Sequence, residues 1–138
     1  MDEQLLKEFL ADADELIAGL YADVEALREG RGEGRAQREL LARLFRKAHT
    51  FKGSAAAAGL AGAAGLAHEF ESLLDAVRLG RRQADDAALD ASDAAVGALE
   101  ALLGAAARGR EQAAPAELLD RLRELSADVA DAGAPEAS

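Results

Sequence analysis

Chemistry has few places to reside in this chain of 138 residues, which holds no cysteine and two histidines, His49 and His68. His49 sits in the segment Leu44-Phe45-Arg46-Lys47-Ala48-His49-Thr50-Phe51-Lys52-Gly53-Ser54-Ala55. With about 100° per residue and His49 at zero, Leu44, Ala48, Phe51 and Ala55 fall between about 200° and 260°. That stripe is the buried one, so His49 faces solvent. Gly53 and Ala56 share its face and Lys52 flanks it, so nothing tall stands beside the imidazole. A glycine inside a helix costs about 0.5–1 kcal/mol relative to alanine. Gly53 therefore requires a reason, either close approach of another molecule or close packing of a second helix.

His68 lies in His68-Glu69-Phe70-Glu71. Three residues apart on a helix, His68 and Glu71 share a face away from Leu66, Phe70, Leu73 and Val77. If the two histidine-bearing helices form an antiparallel hairpin about Gly59, His49 and the region around His68 and Glu71 lie roughly level, so a carboxylate could orient the imidazole. The chemistry this suits is nucleophilic transfer at an imidazole. A neutral ring carries one N–H and one lone pair. A carboxylate that accepts the N–H from Nδ1 leaves Nε2 free to take a phosphoryl group and later give it up. Lys52 would supply positive charge for the phosphoryl oxygens. The plainer reading of each residue is a solvated side chain, and an exposed glutamate on an acidic chain is ordinary.

The elements that must position these groups are helices. Apolar spacing predicts five. The first runs from about Glu3 to Arg28, with Leu6, Phe9, Leu10, Ala13, Leu16, Ile17, Leu20, Val24 and Leu27 on one stripe, and ends at the Gly30, Gly32, Gly34 connector. The second covers about Ala36 to Ala58 and stops at Gly59, a residue suited to a helix C-terminus. The third spans about Ala61 to Leu79, and its short connector makes an antiparallel hairpin with the second. The fourth starts near Asp85 and Asp86, and the fifth near Pro115, with Leu118, Leu122, Leu125 and Val129 on its stripe. The expected fold is all-α, an up-down four-helix bundle with an additional fifth C-terminal helix. Residues 1–130 form the domain, and Asp131 to Ser138 reads as a tail or the start of a linker.

His49-Thr50-Phe51-Lys52-Gly53-Ser54-Ala55 resembles the His-x-x-Lys-Gly-(Ser/Gly)-(Ala/Ser) signature of histidine phosphotransfer (Hpt) domains. Its flanks, Phe45-Arg46-Lys47-Ala48 and Leu66-Ala67-His68-Glu69-Phe70-Glu71-Ser72-Leu73-Leu74-Asp75, look like the N-terminal phosphotransfer domain of CheA-type chemotaxis histidine kinases. The resemblance implies that His49 is the phosphoacceptor, Lys52 its charged neighbour and Gly53 the small residue that clears access. His68 and Glu71 would be the polar partners that tune the ring. It further implies two partners, the ATP-binding domain of a histidine kinase and the receiver domains of response regulators. The chain has no Gly-rich nucleotide loop, so the expectation is no cofactor in this domain, with ATP used by the partner kinase. Whether the chain counts as an enzyme is left open, since the domain supplies an acceptor without an ATP site.

Composition excludes much else. There are 36 Ala and 22 Leu against six β-branched residues, which favours helix over sheet. The net charge of −10 argues against a nucleic-acid surface. No apolar run is long enough to span a membrane, and the acidic start lacks the pattern of a signal peptide. The expectation is a cytoplasmic, monomeric domain. The basic cluster Arg35, Arg38, Arg43, Arg46 and Lys47 reads first as a solvated face, with docking of an acidic partner as the alternative. The acidic set Asp12, Asp14, Glu15 and Asp23 reads as solubility. A di-iron bundle needs Glu-x-x-His motifs, and here Arg46 and Gly65 stand three residues before the histidines. Two further readings are a stand-alone Hpt protein of a multistep phosphorelay and a helical adaptor with no chemistry.

Overall fold

The computed structural model describes residues 3–127. Among them are six helices: α1 (Glu3–Ala11), α2 (Ala13–Gly30), α3 (Arg35–Ala57), α4 (Ala61–Arg78), α5 (Asp86–Ala107) and α6 (Ala116–Ser126). The α2, α3, α4 and α5 helices pack in a ring, each against the next, as an up-down bundle. The α6 helix lies across α4 and α5, and α1 lies against α3 and α2. Val129, the 1–130 boundary and the tail from Asp131 to Ser138 fall outside the described residues.

The first helix of the sequence reading is two helices here. At Asp12 the chain breaks step: its N–H bonds back three residues to the Phe9 carbonyl at 3.2 Å, and its own carbonyl starts α2 by accepting from Leu16 N–H at 3.0 Å. The Asp12 side chain makes no cap hydrogen bond, and Asp14 and Glu15 fill the first turn of α2, where negative charge faces the free N–H groups. Phe9 meets Phe51 edge to face, with centroids 5.2 Å apart, which ties α1 to the helix that carries His49.

The hairpin of α3 and α4 follows from Gly59 and the residues beside it. Gly59 takes φ +83°, a left-handed value that glycine adopts without a Cβ clash. Its N–H bonds to the Ala56 carbonyl at 3.0 Å and that of Leu60 to the Ala55 carbonyl at 2.9 Å, the Schellman pattern that stops a helix. Asp85 starts α5 by accepting from Ala88 N–H at 2.9 Å, satisfying one of the free donors of the first turn.

The core is built from leucines with three phenylalanines, Phe9, Phe51 and Phe70. Leu44, Leu66, Phe70, Leu73, Leu99 and Leu122 are fully buried, as are the small residues Ala55, Ala67 and Ala95 that let helix axes approach. Two side chains depart from the sequence reading. Leu16 is 38% exposed, although it was expected on the buried stripe. Asp23, expected on the soluble face, is buried and accepts from Lys47 Nζ at 2.8 Å. Both lie on the border of the α2 stripe, where packing against the neighbouring helices decides what is covered. The buried carboxylate is acceptable because it is paired.

Candidate phosphoacceptor site

The buried stripe of α3 is Leu44, Ala48, Phe51 and Ala55, as the helix phase requires. His49 therefore projects outward, and its side chain is 64% exposed. Across the hairpin, Glu71 occupies the seam between α3 and α4 with its side chain only 10% exposed. One carboxylate oxygen of Glu71 accepts from His49 Nδ1, and the other accepts from Lys52 Nζ at 2.6 Å. The site joins three of the residues singled out from the sequence, two from α3 and one from α4.

The charge state of Glu71 decides what the ring can do. Burial by itself pushes the pKa of this carboxyl up. The hydrogen bonds and charges of Lys52 and His49 outweigh that and hold it below the ordinary value. Glu71 is therefore an ionised carboxylate near neutral pH, able only to accept hydrogen bonds. His49 Nδ1 must then carry the proton. In the neutral ring Nε2 keeps its lone pair, on the exposed side of the imidazole.

The other expected residues fall into place differently. His68 is exposed, and its Nδ1 stands 3.9 Å from Glu71, too far for a hydrogen bond. It adds to the field around the carboxylate rather than to the chain of bonds. Lys52 is half-buried and committed to Glu71; the sequence reading had aimed it at the phosphoryl group. Gly53 is exposed, and a Cβ placed on it would meet no atom within 4 Å. Close packing of a second helix, one of the two reasons open for this glycine, is thereby removed.

Gly65, which the sequence reading passed over, repeats that situation on α4. It too is exposed with open space where a Cβ would lie. It stands one turn before His68, and in an antiparallel hairpin turning at Gly59 it lies nearly level with Gly53. Its signal was present as a second glycine inside a helix with no turn to make. Among the described residues no group of three or more His, Asp and Glu side chains converges as metal ligands would.

Comparison with known proteins gives this geometry a family. A family model described as Hpt domain matches residues 4–132. The chain belongs to the Hpt domain family. This Hpt domain is 30% identical over 89 residues to chemotaxis protein CheA of Treponema pallidum (strain Nichols), a match that covers 64% of the chain and 10% of the relative. The chain thus spans about a tenth of the length of that curated relative. Among solved structures it is similar to the phosphorylated P1 domain of CheA3 in complex with CheY6 from R. sphaeroides. The TM-score is 0.74 and the identity 26%, covering 91% of this chain and 97% of that one. Among the described residues no helix of the Hpt domain is long and apolar enough to cross a membrane.

Proposed function

We propose that this Hpt domain accepts a phosphoryl group on His49 Nε2 from the ATP-binding domain of a CheA-type histidine kinase and passes it to an aspartate of a response-regulator receiver domain. The observation that carries the reading is the bond from His49 Nδ1 to the buried, ionised Glu71. It leaves Nε2 unprotonated on an exposed ring.

In the first step the Nε2 lone pair attacks the γ-phosphorus of ATP held by the kinase domain. The bond to the bridging oxygen breaks and ADP leaves with that electron pair. The ring then carries a positive charge, and the Glu71 carboxylate facing Nδ1–H offsets it at the moment it forms. In the second step an aspartate oxygen of the receiver attacks phosphorus, the Nε2–P bond breaks, and its electrons return to Nε2. No proton needs to move on the ring in either direction, so transfer is reversible. The domain contributes the nucleophile and its orientation, while ATP and its metal ion belong to the kinase domain.

The similarity to a chemotaxis CheA, and to a P1 domain solved with a CheY protein, supports chemotaxis-type signalling; we further propose that the domain works in the cytoplasm as a monomer. The experiment is phosphorylation by a CheA-type kinase domain and ATP. Wild type should acquire acid-labile phosphate and His49→Gln none. Equal labelling of the two would overturn the assignment.

A further inference from the structure

A phosphoryl group on Nε2 is dianionic and needs a cation, and the lysine expected to supply it is already held. Lys52 Nζ lies 2.6 Å from Glu71 and the side chain is half-buried. Another positive group borders the ring. His49 and Arg46 both line a shallow depression, together with Phe45, Thr50, Ser72 and Asp75. Side chains on a helix lean toward its N-terminus, so a residue covers the turn before its own Cα. The His49 ring therefore leans over the turn that holds Phe45 and Arg46.

Arg46 is exposed and, among the described residues, makes no ion pair or hydrogen bond. Of the acids around it, Asp75, which shares the depression, and Asp23 are committed elsewhere, while Glu15 lines a separate depression between α2 and α3. Asp75 is held by Arg78 at 2.6 Å with Arg81 at 3.9 Å, and Asp23 by Lys47 at 2.8 Å. Arg78 also stacks over the Phe45 ring, 4.7 Å from its centroid, and its guanidinium is held by Asp75 as well. Arg46 is left with an uncommitted guanidinium one helical turn from the nucleophile. That group presents paired N–H donors to two phosphoryl oxygens at once.

We propose that Arg46 is the phosphoryl-contacting cation of this site, closing on the phosphoryl oxygens once they are bound to His49 Nε2, while Lys52 serves as the positioning residue for Glu71. The inference rests on the proposed function. Its chemistry is a contact with the phosphorylated state and adds no step to the transfer.

The test uses phosphoramidate, a small donor that bypasses the kinase. Nε2 attacks its phosphorus, the P–N bond breaks and ammonia leaves. Phosphorus-31 NMR then follows the titration of the phosphoryl group on wild type, Arg46→Gln, Arg46→Lys and Arg43→Gln. A guanidinium on the oxygens favours the dianion, so Arg46→Gln should make the group about three- to tenfold weaker as an acid, a rise of about 0.5–1 pH unit in midpoint. Arg46→Lys should fall between the two. Arg43→Gln removes the same charge from a side chain outside the depression and should leave the midpoint in place. Equal midpoints in wild type and Arg46→Gln would overturn the inference while leaving the phosphoacceptor intact. So would an equal shift in Arg43→Gln, which would mean a general field and no contact. Absence of label from His49 in the wild type would overturn the proposed function itself, and the inference with it.

Discussion

At the scale of single residues the site turns on Glu71. A carboxylate with one oxygen on Lys52 and the other on His49 cannot be replaced by a neutral group without loosening both. A hydrogen bond to a charged group contributes about 1.5–3 kcal/mol, so Glu71→Gln should slow phosphoryl acceptance by roughly ten- to a hundredfold without abolishing it. Kinase-domain labelling rates would measure this, and unchanged rates would mean that the carboxylate does not orient the ring. The same group leaves a mark on stability. Its folded pKa lies below the ordinary value of 4.5. Its contribution is therefore complete above that value and is lost as pH falls through the lower, folded one. Circular dichroism across an acid titration should show wild type losing its advantage over Glu71→Gln below pH 4.5; parallel profiles would contradict it. His49, Lys52 and Glu71 were all legible in the sequence, because spacing along each helix selects a face. That Lys52 serves Glu71 was not, since the partner across the seam depends on the register of α3 against α4, which spacing within one helix leaves undetermined.

At the scale of helices, α3 and α4 carry two glycines that internal packing does not require. Open space around Gly53 and Gly65 means that alanine fits at either. Gly53→Ala should raise the unfolding free energy by about 0.5–1 kcal/mol in a urea titration, whereas a destabilised variant would point to unseen packing. Gly53→Met should keep its helicity and lose phosphotransfer, because the loss is steric and falls on the visiting domain. The hairpin itself was readable from Gly59 and the short connector, and the start of α5 from Asp85. The break at Asp12 was not, because apolar residues continue on one stripe from Phe9 through Ala13 to Ile17. The changed backbone bonds at Asp12 and the packing of Phe9 on Phe51 make the separation of α1 visible. Asp23 escaped for a related reason: an acid near an apolar stripe reads as exposed until its cation, Lys47 on another helix, is known.

For the whole molecule the distribution of charge matters. The chain carries −10, yet α3 holds Arg35, Arg38, Arg43, Arg46, Lys47 and Lys52 against Glu39 alone. The helix that bears the nucleophile is thus the basic side of an acidic protein, an arrangement that steers acidic surfaces toward His49. With a receiver domain of acidic active site as acceptor, the second-order transfer rate should fall about tenfold or more from low to physiological salt. In the doubly substituted Arg38→Gln, Arg43→Gln protein the slope should be shallower; a rate indifferent to salt would argue against steering. Cluster and sign were both legible in the sequence, but their concentration on the reactive helix acquires meaning only once the bundle turns the other faces away. On the proposed function, the bundle's task is to hold one ring with Nδ1–H bound and Nε2 bare. Long-range proton–nitrogen correlation spectra of the neutral His49 ring test this most directly. The expected spectrum is that of the Nδ1–H form with an unprotonated Nε2, and a ring protonated on Nε2 would contradict it.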